Sequence, residues 1–140
     1  MIFYLHPHLT QYFSSSLPLF DQLMALRGEV FRDQKGRITQ RIKLGTNTYF
    51  IKQHTGVGWK EIIKNISCFR WPVISAYTEW RALLTCQKVG INAPNVLAFG
   101  ERGLNPARKQ SFILLEALTP TDSLEEIIKN WQKKIAFLYI

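Results

Sequence analysis

The stretch Arg37–His54 constrains the fold more than any other part of the chain. Between Arg37 and Leu44, Ile38, Ile42 and Leu44 fall on one face, and Arg37, Thr39, Arg41 and Lys43 on the other. That is the two-residue period of a half-buried strand. Gly45-Thr46-Asn47-Thr48 reads as a turn, and Thr48–His54 is rich in β-branched and aromatic residues. Upstream, Glu29–Asp33 carries Val30 and Phe31. It joins Arg37 through the turn Asp33-Gln34-Lys35-Gly36, whose glycine can take positive φ. Three strands with such short connections form an antiparallel meander.

The remaining segments fit around it. Residues 1–19 show no clear period, and Ser14-Ser15-Ser16 with Pro18 reads as loop. Phe20–Leu26 predicts a short helix ended by Gly28. After the loop Thr55-Gly56-Val57-Gly58, Trp59–Ile66 has helical spacing. Ala76–Val89 predicts a stronger helix with Trp80, Leu83 and Leu84 on one stripe and Gly90 as its stop. Asn95–Phe99 and Ser111–Leu118 read as strands joined by a basic loop. Ser123–Trp131 reads as a helix capped by Asp122 or Ser123. The order predicts an α+β fold, a five-stranded antiparallel sheet with its helices segregated to one side.

The chain has 18 Lys and Arg against 10 Asp and Glu, a net charge of +8 over 140 residues. That favours an anionic partner such as nucleic acid, phospholipid, phosphorylated sugar or nucleotide. No apolar run is long enough for a membrane-spanning helix. The apolar start lacks a positively charged region and a cleavage site, so a cytoplasmic protein is expected, able to work at a membrane surface through its basic face. Cys68 and Cys86, with His6, His8 and His54, lack metal-ligand spacing.

Two residues carry the chemistry. Strand alternation puts Phe50, Lys52 and His54 on one face, and Tyr49 and Ile51 on the other. Taken alone, Lys52 reads first as a solvated residue at a sheet edge. As a point charge on a rigid strand it is also suited to binding phosphate. Glu79 opens the stronger helix, where it can simply face the helix dipole or pair with a strand lysine. In protein kinases a third-strand lysine and a glutamate of the following helix hold the nucleotide phosphates through such a pair.

Longer segments carry a resemblance. They are Gly28-Glu29-Val30-Phe31-Arg32, Tyr49-Phe50-Ile51-Lys52, Lys60-Glu61-Ile62-Ile63-Lys64-Asn65, Arg70-Trp71-Pro72-Val73 and Glu79-Trp80-Arg81-Ala82. Phe99-Gly100-Glu101-Arg102-Gly103-Leu104-Asn105-Pro106, Ser111-Phe112-Ile113 through Glu116, Leu118-Thr119-Pro120-Thr121 and Ser123-Leu124-Glu125 follow in order. Together they resemble the lipopolysaccharide core heptose kinases, bacterial sugar kinases with a protein-kinase-like fold. The resemblance runs from about residue 20 to residue 131, and the Phe99–Pro106 segment is its most specific part.

The resemblance implies a kinase-like amino-terminal lobe over residues 20–118, with the Ala76–Val89 segment as its C-helix. It makes 1–19 an extension, and 119–140 a hinge with the first helix of a second lobe. It implies ATP with Mg²⁺, and a lipopolysaccharide core or lipid A precursor as partner at the inner face of the inner membrane, with no nucleic acid. Lys52 matches the phosphate-binding lysine and Glu79 its helix partner. Leu115 falls at the back of the nucleotide pocket, Glu116 and Leu118 on the hinge that meets the adenine edge, and Phe50 in the pocket ceiling.

The chain departs from protein kinases in two places. Asp33-Gln34-Lys35-Gly36-Arg37 stands where they carry G-x-G-x-x-G. After Ser111 the only aspartate is Asp122, and no His-x-Asp or Asp-Phe-Gly segment occurs. The apolar ending Lys133–Ile140 reads as a chain cut before the catalytic lobe, so the 140 residues alone are expected to be inactive. Arg102, Arg108 and Lys109 with Lys60 and Lys64 read either as a surface for an anionic partner or as solvated charge. Trp59, Trp71, Trp80 and Trp131 read as core or lobe-packing residues. The competing readings are a kinase for another sugar such as Kdo, and a non-catalytic basic module for nucleic acid or membrane. A nucleic-acid binder would show steep salt dependence.

Overall fold

The computed structural model describes residues 1–34 and 36–118. The predicted helix Ser123–Trp131 and the rest of 119–140 lie outside the described residues. The elements are β1 (Ile2–Leu5), a 3₁₀ helix (Pro7–Tyr12), α1 (Leu19–Ala25), β2 (Glu29–Gln34), β3 (Arg37–Leu44) and β4 (Asn47–His54). After these come α2 (Gly58–Ser67), α3 (Tyr77–Lys88), β5 (Val96–Arg102), a 3₁₀ turn (Pro106–Arg108) and β6 (Gln110–Glu116). The sheet is antiparallel in the order β1-β5-β6-β4-β3-β2.

Among the described residues the sheet therefore has six strands, not five. The added strand, β1, pairs Ile2 with Glu101 and Leu5 with Ala98 along β5. It escapes the sequence pattern because its residues are apolar throughout rather than alternating, and its partner lies almost the whole chain away. The helices also lie on both faces, not one. On one face α1 and the first 3₁₀ helix bring Leu9, Phe20 and Leu23 against Ile42, Tyr49, Ile51, Phe112 and Leu114. On the other, α3 covers Val96, Phe99, Ile113 and Leu115. Alternation along β6 sends Phe112 and Leu114 to the first layer and Ile113 and Leu115 to the second. Each fully buried side chain of this kind contributes roughly 1.5–3 kcal/mol.

A buried amide pair fastens α1 to the sheet. Gln53 Nε2 donates to the carbonyls of Leu23, Met24 and Leu26 at 2.9, 3.1 and 3.2 Å. Gln40 Nε2 donates to Gln53 Oε1 at 2.9 Å, and Gly28 N–H donates to Gln40 Oε1 at 3.0 Å. The last carbonyls of α1 are thus satisfied by a side chain from β4. Gly28 is not the helix stop expected of it. A Cβ there would lie 2.1 Å from the Arg41 carbonyl oxygen, so Gly28 lets the chain pass close to β3. Arg102 closes the same layer. Its guanidinium lies over the Phe20 ring at 4.3 Å and pairs with Asp21 at 2.7 Å. Lys109 likewise pairs with Glu101 at 2.9 Å, so two members of the predicted basic cluster serve internal contacts.

Trp80 packs as expected, stacked on Phe99. Trp59 and Trp71 are not core residues, being 55% and 94% exposed. They lie on α2 and the segment after it, where Ile62 supplies the buried contact with Val57 and Ala107 instead.

Candidate functional site

The register of β4 assembles the site. Lys52 stands opposite Thr39 on β3 and Ile113 on β6, Phe50 opposite Arg41 and Leu115, and His54 opposite Arg37 and Ser111. Residues paired directly across strands share a face. Phe50, Lys52, His54, Arg37, Thr39 and Leu115 therefore all lie on the face that α3 covers.

Polar and aromatic contacts set the height and rotation of α3. Ala76 N–H donates to Ser111 Oγ at 2.9 Å, and Tyr77 N–H to Ser75 Oγ at 3.1 Å. Trp80 stacks on Phe99 with centroids 4.4 Å apart and planes 5° apart. One residue before Trp80, and so about 100° around the helix, Glu79 is turned toward β4. Lys52 Nζ donates to Glu79 Oε1 in an ion pair whose side chains are each about a third exposed. Burial would raise the Glu101 carboxyl, but Ser75 and Lys109 beside it hold it below its ordinary value. A charged Glu101 thus stands next to the start of α3.

The pair helps line a cavity of about 180 Å³, together with Arg32, Arg37, Thr39 and His54, with Gln34, Ile38 and Val73 completing its wall. His54 is only 6% exposed. Burial pushes its imidazole down to about 4, Arg37 adds to that, Glu79 opposes it and Lys52 lowers it further. His54 is therefore neutral at pH 7.

The other predicted residues surround this centre. Phe50 meets Phe31 edge-on at 5.4 Å, and Arg41 lies over the Phe31 ring at 5.3 Å while pairing with Glu29. Leu115 is buried beneath α3 beside Phe50. Glu116 ends β6. It accepts from Asn95 Nδ2 at 2.8 Å and donates its N–H to the Asn95 carbonyl at 3.0 Å. Leu118 follows, 41% exposed. The structure thus brings Lys52, Glu79, Phe50 and Leu115 onto one patch, with Glu116 and Leu118 where β6 leads away. Sequence reasoning missed that the basic face of β3 and the Lys52 face of β4 coincide. The short connection that sets Leu44 opposite Asn47 carries that signal, because it fixes Arg37 against His54.

A meander whose third strand carries a lysine ion-paired to a helix glutamate, above an antiparallel sheet, defines a protein-kinase-like amino-terminal lobe. Residues 21–137 match the lipopolysaccharide kinase (Kdo/WaaP) family, and the chain belongs to that family. It is 44% identical over 112 residues to the lipopolysaccharide core heptose(I) kinase WaaP of Escherichia coli, covering 80% of this chain and 42% of that one. The WaaP of Pseudomonas aeruginosa is 40% identical over 115 residues, 82% of this chain and 43% of that one. A solved structure of WaaP in complex with acyl carrier protein superposes with a TM-score of 0.71 at 30% identity, over 96% of this chain and 48% of that one. The chain spans about two fifths of the length of the curated relatives it matches.

Proposed function

We propose that these residues form the nucleotide-binding half of an ATP-dependent kinase that phosphorylates a heptose of the lipopolysaccharide inner core. The observation that carries the reading is the Lys52–Glu79 pair lining a cationic cavity. In this reading Lys52 binds nucleotide phosphate and Glu79 positions it. Phe50 and Leu115 wall the adenine, and Glu116 and Leu118 form the hinge at its edge. The donor set suits a polyphosphate: Arg32 and Arg37 add charge that Glu79 does not cancel. Residues 20–118 act as the nucleotide lobe with β1 as an added edge strand, and 119–140 as hinge and start of a second lobe.

Phosphoryl transfer also needs magnesium and a base aimed at the sugar hydroxyl. Among the described residues no group of three or more His, Cys, Asp or Glu could hold a metal ion. The reading assigns both tasks to a second lobe and expects nucleotide binding without turnover from these 140 residues. Co-expression with the carboxy-terminal half of the Escherichia coli relative tests it. Phosphate transfer to a heptose-bearing core, lost with Lys52→Ala, is the expected result. Transfer that survives Lys52→Ala would contradict the reading.

The acceptor's lipid anchor fits one further surface. No described helix is long and apolar enough to cross a membrane, but α2 exposes Trp59, Ile63 and Ile66 along one stripe, with Lys60 and Lys64 beside it. Phe69 adopts a left-handed backbone (φ 53°) at the helix stop, a position usually given to Gly, and its ring is fully exposed. Apolar and aromatic side chains flanked by lysines suit the boundary of an anionic bilayer. In this reading α2 rests on the membrane, so the enzyme works as a peripheral protein on the cytoplasmic side.

A further inference from the structure

The turn between β2 and β3 stands where protein kinases carry a flexible glycine loop over the phosphates. Here Gly36, which leads into β3, is held down. The Gly36 carbonyl accepts from Thr55 N–H at 2.9 Å. A Cβ on Gly36, at φ 75°, would lie 2.2 Å from the Gly56 carbonyl oxygen. Gly56, at φ 97°, backs in turn onto Ala107, whose carbonyl oxygen would lie 2.6 Å from a Cβ there. Three connections are stacked at one end of the sheet, and a turn packed this closely is a poor wrap for a ligand.

The cavity beneath the turn carries an imbalance. Glu79 neutralises Lys52, which leaves Arg32 and Arg37 as surplus positive charge on the lining. Arg37 Nε and His54 Nδ1, on two of the lining residues, are buried with no hydrogen-bond partner among the described residues. Unpaired buried polar atoms of this kind are costly unless a ligand completes them. Guanidinium groups match phosphate oxygens in paired, charge-assisted hydrogen bonds.

We propose that Arg32 and Arg37 form a side-chain grip for the terminal phosphates of a nucleoside triphosphate, replacing the backbone amides of a glycine loop. The grip rests on the nucleotide reading above, with Lys52 holding the inner phosphates and Arg32 and Arg37 reaching the outer ones from β2 and β3. His54 stands directly opposite Arg37 and two residues along β4 from Lys52, on the same face of the sheet.

Calorimetric titration of the 140-residue chain with ATP, adenosine and inorganic tripolyphosphate tests the grip, using Arg32→Gln, Arg37→Gln and Arg37→Lys. Each Gln variant should weaken ATP binding about tenfold or more, the scale of a lost charge-assisted hydrogen bond, and leave adenosine unchanged. Arg37→Lys should recover only part of the loss, since an ammonium lacks the fork. Arg32 is exposed on β2, so its variant reports on binding even where Arg37→Gln disturbs folding. ATP affinity unchanged in both Gln variants, or adenosine and ATP weakened equally, overturns the grip. If the native chain binds tripolyphosphate but not ATP, the arginines hold a polyphosphate, and both the nucleoside triphosphate as their ligand and the nucleotide reading fall. If it binds none of the three, both fall.

Discussion

Lys52 on β4 and Glu79 on α3 form an ion pair although 27 positions separate them in sequence. The pair exists because two placements agree. The β4 register turns Lys52 to the α3 face, and the Ser111 and Phe99 contacts rotate α3 until Glu79 meets it. With each side chain about a third exposed, the pair does little for stability. Its value is in fixing where one ammonium points.

Glu79→Gln should therefore separate binding from folding. Unfolding stability should change by less than about 1 kcal/mol, as for other solvent-accessible pairs. ATP affinity should fall several-fold, because Lys52 loses its orientation. Urea unfolding and a nucleotide titration on the same preparation check both halves.

Gln53→Leu should act the other way. It removes the amide that caps three carbonyls of α1 and strands the buried Gln40 amide. A loss on the order of 2–4 kcal/mol is expected from unsatisfied buried groups. The paired change Gln40→Leu with Gln53→Leu should cost less than the sum of the two single losses, since the contact between the amides is counted once. Denaturant midpoints of the four proteins measure that coupling.

His54 predicts an acid limb in stability. Folded, it takes a proton only near pH 4, whereas in the unfolded chain it does so near 6.5. Between those values the unfolded state binds more protons, so its share of stability is full above about pH 6.5 and is lost as pH falls through the window toward 4. The groups facing it are Arg37, Lys52 and Glu79. Thermal melting at pH 7 and pH 4.5 should show a drop that is smaller in His54→Gln, by an amount on the order of 1–2 kcal/mol.

The α2 surface predicts lipid selectivity. The chain should float with vesicles containing phosphatidylglycerol and not with pure phosphatidylcholine. Trp59→Ser with Ile63→Ser should abolish flotation, and Lys60→Gln with Lys64→Gln should weaken it and remove its salt dependence. All four side chains are exposed, so the changes leave the core intact. Flotation that ignores both pairs of changes would assign the surface to another partner.

Much of this lobe is written in local pattern. The alternation of β3, the turn after Leu44 and the helical stripe of α3 give three elements directly. Alternation places Lys52 on its face of β4, but only its paired motif context with Glu79 singles it out from a solvated lysine. What the sequence hides depends on distant partners. β1 gains its identity only from pairing with β5 at the far end of the chain. Arg32 reaches the cavity because the register of β2 shifts between Val30 and Arg32, a bulge with no local signature. Trp59 and Trp71 have the composition of core residues, and only the placement of α2 shows that they face outward.

In the proposed function Lys52 holds nucleotide phosphate. Titration of the 140-residue chain with a fluorescent ATP analogue, in parallel with folded Lys52→Ala, tests it most directly. The account predicts saturable binding by the native chain, displaced by unlabelled ATP, and about tenfold or greater weakening in Lys52→Ala, the scale of one lost charge-assisted contact. Binding of equal strength in both proteins, or no binding by the native chain, would contradict it.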